Sequence, residues 1–183
     1  MARTRTGSTS GWGMNFRAAT LLVLLLPLVA DAAPDPVGDF VKDTFKLPVV
    51  AQSMVVTGEV AQVCASVLGR PYPRRSLRYW SDGHQSLWVL SAQGKHGLIL
   101  SGFVVAKGRI VEGRVLADRE QRGRPIREQR YLRQFIGAGL QHEKRLDKTV
   151  HAITGATISS TAMERMALLA LRLTAMQKDA PPP

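Results

Sequence analysis

The sequence has 183 residues, with 25 Lys+Arg against 14 Asp+Glu, four His and one Cys. The length fits one domain with a small appendage, and 45% hydrophobic with 21% charged residues excludes wholesale disorder and a multi-span membrane protein. A single Cys excludes an internal disulfide framework and a cysteine-only zinc site, while the formal charge of +11 taken alone points to an anionic partner such as nucleic acid.

The N-terminus alters that reading. Arg3, Arg5 and Arg17 form a positive segment without acidic residues, an apolar run follows from Ala18 to Ala30, and Ala30-Asp31-Ala32 is a small-x-small cleavage pattern. This is the form of a secretory signal peptide over residues 1–32. The run is short for a bilayer span, which needs about 20 residues, so an uncleaved anchor is the secondary reading. No Cys follows the run and Thr4 separates Arg3 from Arg5. A lipoprotein anchor and a paired twin-arginine signal are thereby excluded, and export in the unfolded state is expected. Loss of residues 1–32 removes three Arg and one Asp, leaving 22 basic against 13 acidic residues and a charge of +9. A periplasmic location makes nucleic acid an unsuitable partner.

In the mature chain, Asp35-Pro36 opens a short helix with Val37, Phe40, Val41 and Phe45 on one face, and Pro48 stops it. Thr57 can cap a second helix whose Val60, Val63, Cys64, Val67 and Leu68 follow helical spacing, ending at Gly69 and Pro71. Residues 33–76 are read as a small N-terminal helical module. Cys64 reads as a buried small hydrophobe.

From Leu77 the period changes to two. Leu77 to Trp80 alternates and Ser81-Asp82-Gly83 turns. Leu87–Ala92, Leu98–Ala106 and Arg109–Ala117 read as strands, the last two joined by a hairpin at Lys107-Gly108. Arg127–Ile136 reads as helical. A final helix is expected near Thr161, and residues 179–183 as a disordered tail. The order predicts an α+β fold, an antiparallel sheet with flanking helices, over 77–178.

Four hydroxyl residues and a Gly crowd the segment Thr154 to Ser160, directly before that helix. Free N–H groups at a helix start attract anions, and Gly155 and Ala156 permit close approach to the backbone. The bland alternative is a polar loop with a cap. The scattered His84, His96, His142 and His151 lack metal-ligand spacing. Tyr72, Tyr79, Trp80 and Trp88 read as core aromatics, with Tyr79 and Trp80 on opposite faces of a strand. Arg119, Arg122, Arg124, Arg127, Arg130 and Arg133 form a basic cluster, either a solvated face or a docking surface for an acidic redox partner or anionic membrane surface.

Ile153-Thr154-Gly155-Ala156-Thr157-Ile158-Ser159-Ser160 resembles the flavinylation motif of the FMN-binding domain family. That family includes flavin subunits of sodium-pumping quinone reductases and Rnf-type complexes, and periplasmic domains of nitrous-oxide-reductase regulators. The resemblance extends to Val105–Val115, similar to the family hairpin, to Glu120-Gln121-Arg122-Gly123 at its Glu-Thr-Pro-Gly position, and to Arg133-Gln134-Phe135-Ile136-Gly137 at its Gln-Phe-x-Gly helix end. It implies FMN as cofactor, attached by a phosphoester to Thr157, with Thr154, Gly155, Ala156, Ile158, Ser159, Ser160, Glu120, Arg122 and Gly123 as further binding residues. It also implies a flavin transferase that uses FAD and Mg²⁺, because a threonine hydroxyl is a poor nucleophile without a base. Two positions depart from the pattern: His151 replaces an Asp, and the Pro of Glu-Thr-Pro-Gly is missing.

The resulting expectation is an exported electron-transfer flavoprotein, an electron carrier or flavin subunit, relaying electrons between a membrane reductase and a periplasmic acceptor. The competing class is a non-catalytic sensory or binding module that regulates a membrane protein. A charge-driven anion or lipid binder is a third.

Overall fold

The computed structural model describes residues 34–119, 124–142 and 144–179. The expected signal peptide, the loop residues Glu120, Arg122 and Gly123, and the tail beyond Asp179 lie outside the described residues. In chain order the elements are α1 (Pro36–Thr44), β1 (Gln52–Val55), α2 (Gly58–Leu68), β2 (Ser76–Ser81), β3 (Gln85–Gln93), β4 (Leu98–Ala106), β5 (Arg109–Ala117), α3 (Gln129–Leu132), β6 (Leu140–Gln141), β7 (Arg145–Leu146) and α4 (Thr157–Asp179). β1 to β5 form one antiparallel sheet in sequence order, and β6 pairs with β7. The fold class is α+β.

Both faces of the sheet are covered, which explains why β3 is buried continuously from Ser86 to Ala92. On one face Trp88, Leu90, Ile99, Phe103 and Val105 pack with Cys64 and Val67 of α2 and Met163, Met166 and Ala170 of α4. On the other, Trp80, Leu87, Val89, Val104 and Leu116 pack with Phe40 and Phe45. Alternation along the strands splits the two cores, so Tyr79 stacks on Trp88 at 4.5 Å while Trp80 lies with the second core, on opposite faces as expected. Trp88 Nε1 donates to Thr174 Oγ1 at 2.8 Å, which ties β3 to α4. Cys64 has no exposure, and burial pushes its thiol up to about 11.

The two N-terminal helices each pack on the main sheet. α1 lies on one face with the second core, α2 on the other against α4, and β1 between them forms the first strand of the sheet. The described residues belong to one compact unit. Asp35 caps α1 as expected, its Oδ1 accepting from Gly38 N–H at 3.0 Å. Thr57 stands at the N-cap of α2 without a side-chain cap bond. Arg114 anchors α1 by stacking 4.2 Å over the Phe40 ring and pairing with Asp43 at 2.8 Å.

The β4–β5 hairpin turns at Lys107 (φ 51°) and Gly108 (φ 74°), the double left-handed pair that matches strand twist. The helix expected over Arg127–Ile136 is broken: 3₁₀ turns at Arg124–Arg127 and Arg133–Phe135 flank a single α-turn. Glu128 is the break, with extended backbone at φ −68° and ψ 135°.

Candidate functional site

The hydroxyl-rich segment folds as a turn followed by the start of α4. Gly155 takes φ 80°, a left-handed conformation that disfavours a side chain. Ala156 N–H donates back to Ile153 O at 2.9 Å. Ser160 N–H donates to Ala156 O at 2.9 Å, so α4 begins at Thr157, four residues before the expected Thr161. The residues of this first turn are weak helix formers, and tertiary contacts hold them. Ser159 and Ser160 are buried. Ser160 Oγ accepts from Ile153 N–H at 3.1 Å. Tyr131 Oη, from α3, donates to Ser160 O at 3.2 Å, and burial pushes the Tyr131 hydroxyl up to about 12.

This geometry leaves Ala156 at the N-cap. Its methyl offers no oxygen to the N–H groups of Thr157 and Ile158, which have no carbonyl one turn back. The positive end of α4 therefore faces outward at exposed Thr157 and Ile158 and favours an anion there.

A cavity of about 360 Å³ opens beside this helix start. Thr157, Ile158, Thr161 and Arg165 of α4 form one wall, a spacing that helical periodicity places on one face. Gln93, Gly94 and Leu98 at the β3–β4 turn form a second. Leu68, Arg70 and Pro73, from the end of α2 and the chain leaving it, form the third.

Residues 94–172 match the model of the FMN-binding domain. Over that segment the chain is similar to the FMN-binding domain. FMN is the cofactor that this match indicates. The match begins just after β3 and ends within α4, so α1, β1, α2, β2 and β3 precede it. Comparison with curated proteins finds no match.

The cavity fits such a group. Its volume lies within the range of about 300–1,000 Å³ usual for small-molecule sites. Its lining includes two guanidiniums and no carboxylate, and the uncapped start of α4 adds donors suited to a phosphate.

Of the residues singled out from the sequence, Thr157 and Ile158 line the cavity. Thr154 and Gly155 are exposed on the preceding turn, and Ala156 is buried. Ser159 and Ser160 are turned into the protein. Gln134, of the Gln-Phe landmark, accepts from His151 N–H at 2.8 Å and also approaches His151 O, 3.5 Å from Nε2. The two landmarks are thus joined through the backbone of residue 151, and the exposed His151 side chain takes no part in that junction.

Tyr79, Trp80 and Trp88 do not line this cavity. Tyr72 accepts from Ser91 N–H at 3.1 Å within the core. Among the described residues no group of three His, Cys, Asp or Glu side chains could hold a metal ion. In the basic cluster, Arg127 pairs with Asp118 at 2.5 Å, while Arg130 and Arg133 are exposed.

Sequence reasoning missed Leu68, Arg70, Pro73, Thr161 and Arg165. Thr161 and Arg165 would follow from Thr157 by helical spacing once α4 is started there. No local signal could have brought α2 to them, because that contact spans the sheet's whole length of chain.

Proposed function

We propose that this chain is an exported electron-transfer flavoprotein that carries FMN through a phosphoester on Thr157. The observation that carries the reading is the placement of Thr157: an exposed hydroxyl in the first turn of α4, beside uncapped N–H groups, on the wall of the cavity. Those N–H groups and the helix dipole would hold the phosphate. Ile158 and Leu98 supply apolar wall, and the β3–β4 turn shields it from one side.

No side chain among the described residues is hydrogen-bonded to the Thr157 hydroxyl as a base, and an unassisted threonine is a weak nucleophile. A separate flavin transferase therefore makes the bond. Thr157 gives its proton to that enzyme and takes the FMN phosphoryl group from FAD, the pyrophosphate bond breaks, and AMP leaves. Bound flavin supplies one- or two-electron redox chemistry, while the protein sets orientation and potential. The signal-peptide form of residues 1–32 supports a periplasmic setting, with electrons passing between a membrane reductase and a periplasmic acceptor. The exposed arginines Arg130 and Arg133 suit an acidic redox partner or an anionic membrane surface.

The test is export of the chain together with a flavin transferase, followed by intact mass and in-gel fluorescence after denaturation. The expected protein lacks residues 1–32, carries FMN, and fluoresces. Thr157→Ala abolishes the fluorescent band. A band that survives this change would overturn attachment at Thr157, and a colourless wild-type protein would overturn the flavoprotein reading.

A further inference from the structure

Arg165 stands two turns beyond Thr157 on the same wall of the cavity, about 12 Å along the helix axis. Its Nη1 donates to Leu68 O at 2.9 Å, at the carbonyl end of α2 where a cation is favoured. Gly69 turns the chain there with φ 73°, and a Cβ at that position would come within 3.3 Å of Arg165 Nη1. Arg70 follows immediately and lines the same cavity. The clamp on Leu68 uses one of the five N–H donors of Arg165. It accounts for nothing about Arg70, which has no hydrogen bond or ion pair among the described residues. With no carboxylate in the lining, both guanidiniums are uncompensated where they face the cavity.

From this arrangement we infer that Arg70 and Arg165 receive the pyrimidine edge of the flavin ring, its N1 and C2 carbonyl, and favour the reduced anion. The inference rests on FMN being carried at Thr157. A phosphate esterified there is served by the N–H groups that start α4, which leaves the arginine end of the cavity for the ring. Two electrons and one proton added to the oxidised ring leave one net negative charge at that edge. Two fixed cations stabilise that charge relative to the neutral oxidised form. Arg165 is oriented by Leu68 O before any ligand arrives, so little ordering cost falls on binding. Arg70 and the acceptor Leu68 lie outside the segment that matches the FMN-binding domain, and Arg165 lies within it.

The experiment is a redox titration with dithionite and reference dyes on the full exported chain, loaded by the flavin transferase. Wild type is compared with Arg70→Gln, Arg70→Lys, Arg165→Gln and Arg165→Lys. Each Gln variant should favour the oxidised form at least tenfold more than wild type, a shift of about 30 mV to more negative potential for a two-electron couple. The Lys variants should recover most of the shift. Arg165→Gln also breaks the α2 clamp, but Arg70→Gln touches no such contact and keeps the test open if Arg165 variants fail to fold. Loaded Gln variants with wild-type potential would overturn the inference alone, and so would reduced loading with an unshifted potential in the loaded fraction, which would assign the arginines to the phosphate. A wild-type protein without flavin would overturn the FMN reading and this inference with it.

Discussion

Ser160 and Ile153 close the turn that presents Thr157: the Ser160 hydroxyl, in the first turn of α4, accepts the Ile153 N–H of the irregular segment before it across 3.1 Å. The bond converts a hydroxyl-rich stretch into a fixed bend. Ser160→Ala leaves the partly buried Ile153 N–H without its acceptor. The expected cost is about 1–2 kcal/mol, read from urea unfolding midpoints, with a lower yield of flavin attachment at Thr157. An unchanged midpoint would mean that water replaces the hydroxyl at no cost.

Gly155 is held at φ 80° with nothing within 4 Å of where a Cβ would sit. The cost of a side chain there is therefore conformational and not steric crowding. Gly155→Ala should destabilise by about 1–2 kcal/mol. Gly155→Asn should cost less, because Asn tolerates the left-handed region. Equal losses for the two would refute a purely backbone origin, and equilibrium denaturation distinguishes the cases.

Gly102 and Phe40 test the packing of α1 on the sheet. A Cβ at Gly102 would lie 2.5 Å from Phe40 Cε1, so Gly102→Ala should cost about 1–3 kcal/mol by overpacking. Phe40→Ala should cost about 3–5 kcal/mol. The double mutant should lose less than the sum, by about 1 kcal/mol, because the space left by the ring admits the new methyl. Strict additivity in a double-mutant cycle would contradict the contact.

Asp147 supplies a pH-dependent contribution. Its carboxylate accepts from Gly139 N–H at 2.7 Å and from Arg109 Nη1 at 3.0 Å. The Gly139 bond first, and Arg109 beside it, hold its pKa below the usual carboxylate range. A depressed folded pKa means the contribution is fully present above the unfolded value, about 3.9, and is lost as pH falls through the folded value. Asp147→Asn should lower Tm by a few degrees at pH 7. The gap should close in strongly acidic buffer, and added salt should narrow it only in part, since it screens the exposed Arg109 pair more than the backbone bond. A gap independent of pH would exclude this account.

Some elements were legible residue by residue. The strands Leu98–Ala106 and Arg109–Ala117 and their turn at Lys107-Gly108 stand as the pattern predicts, because a two-residue turn and period-two alternation are local facts. β1 gave no such signal: its burial runs exposed, exposed, intermediate, exposed, and only pairing with β2 makes it a strand. α4 starts earlier than propensity predicts, because Thr157, Ile158, Ser159 and Ser160 resemble a loop by propensity while burial of the two serines outweighs that preference.

The sequence by itself determined the fold class and the resemblance. The ordered landmarks from the hairpin to the hydroxyl-rich turn carried the resemblance to the FMN-binding domain that residues 94–172 match, and residue spacing assigned the apolar faces of α1 and α2. Periodicity reports which face of an element is buried, not what covers it. Only the tertiary structure put α1 and α2 on opposite sides of the sheet, brought Leu68 O within 2.9 Å of Arg165, and placed Arg70 in the cavity of Thr157. Those contacts join residues far apart in the chain. They are decided by the closure of the whole core, for which no local pattern of residues is a record.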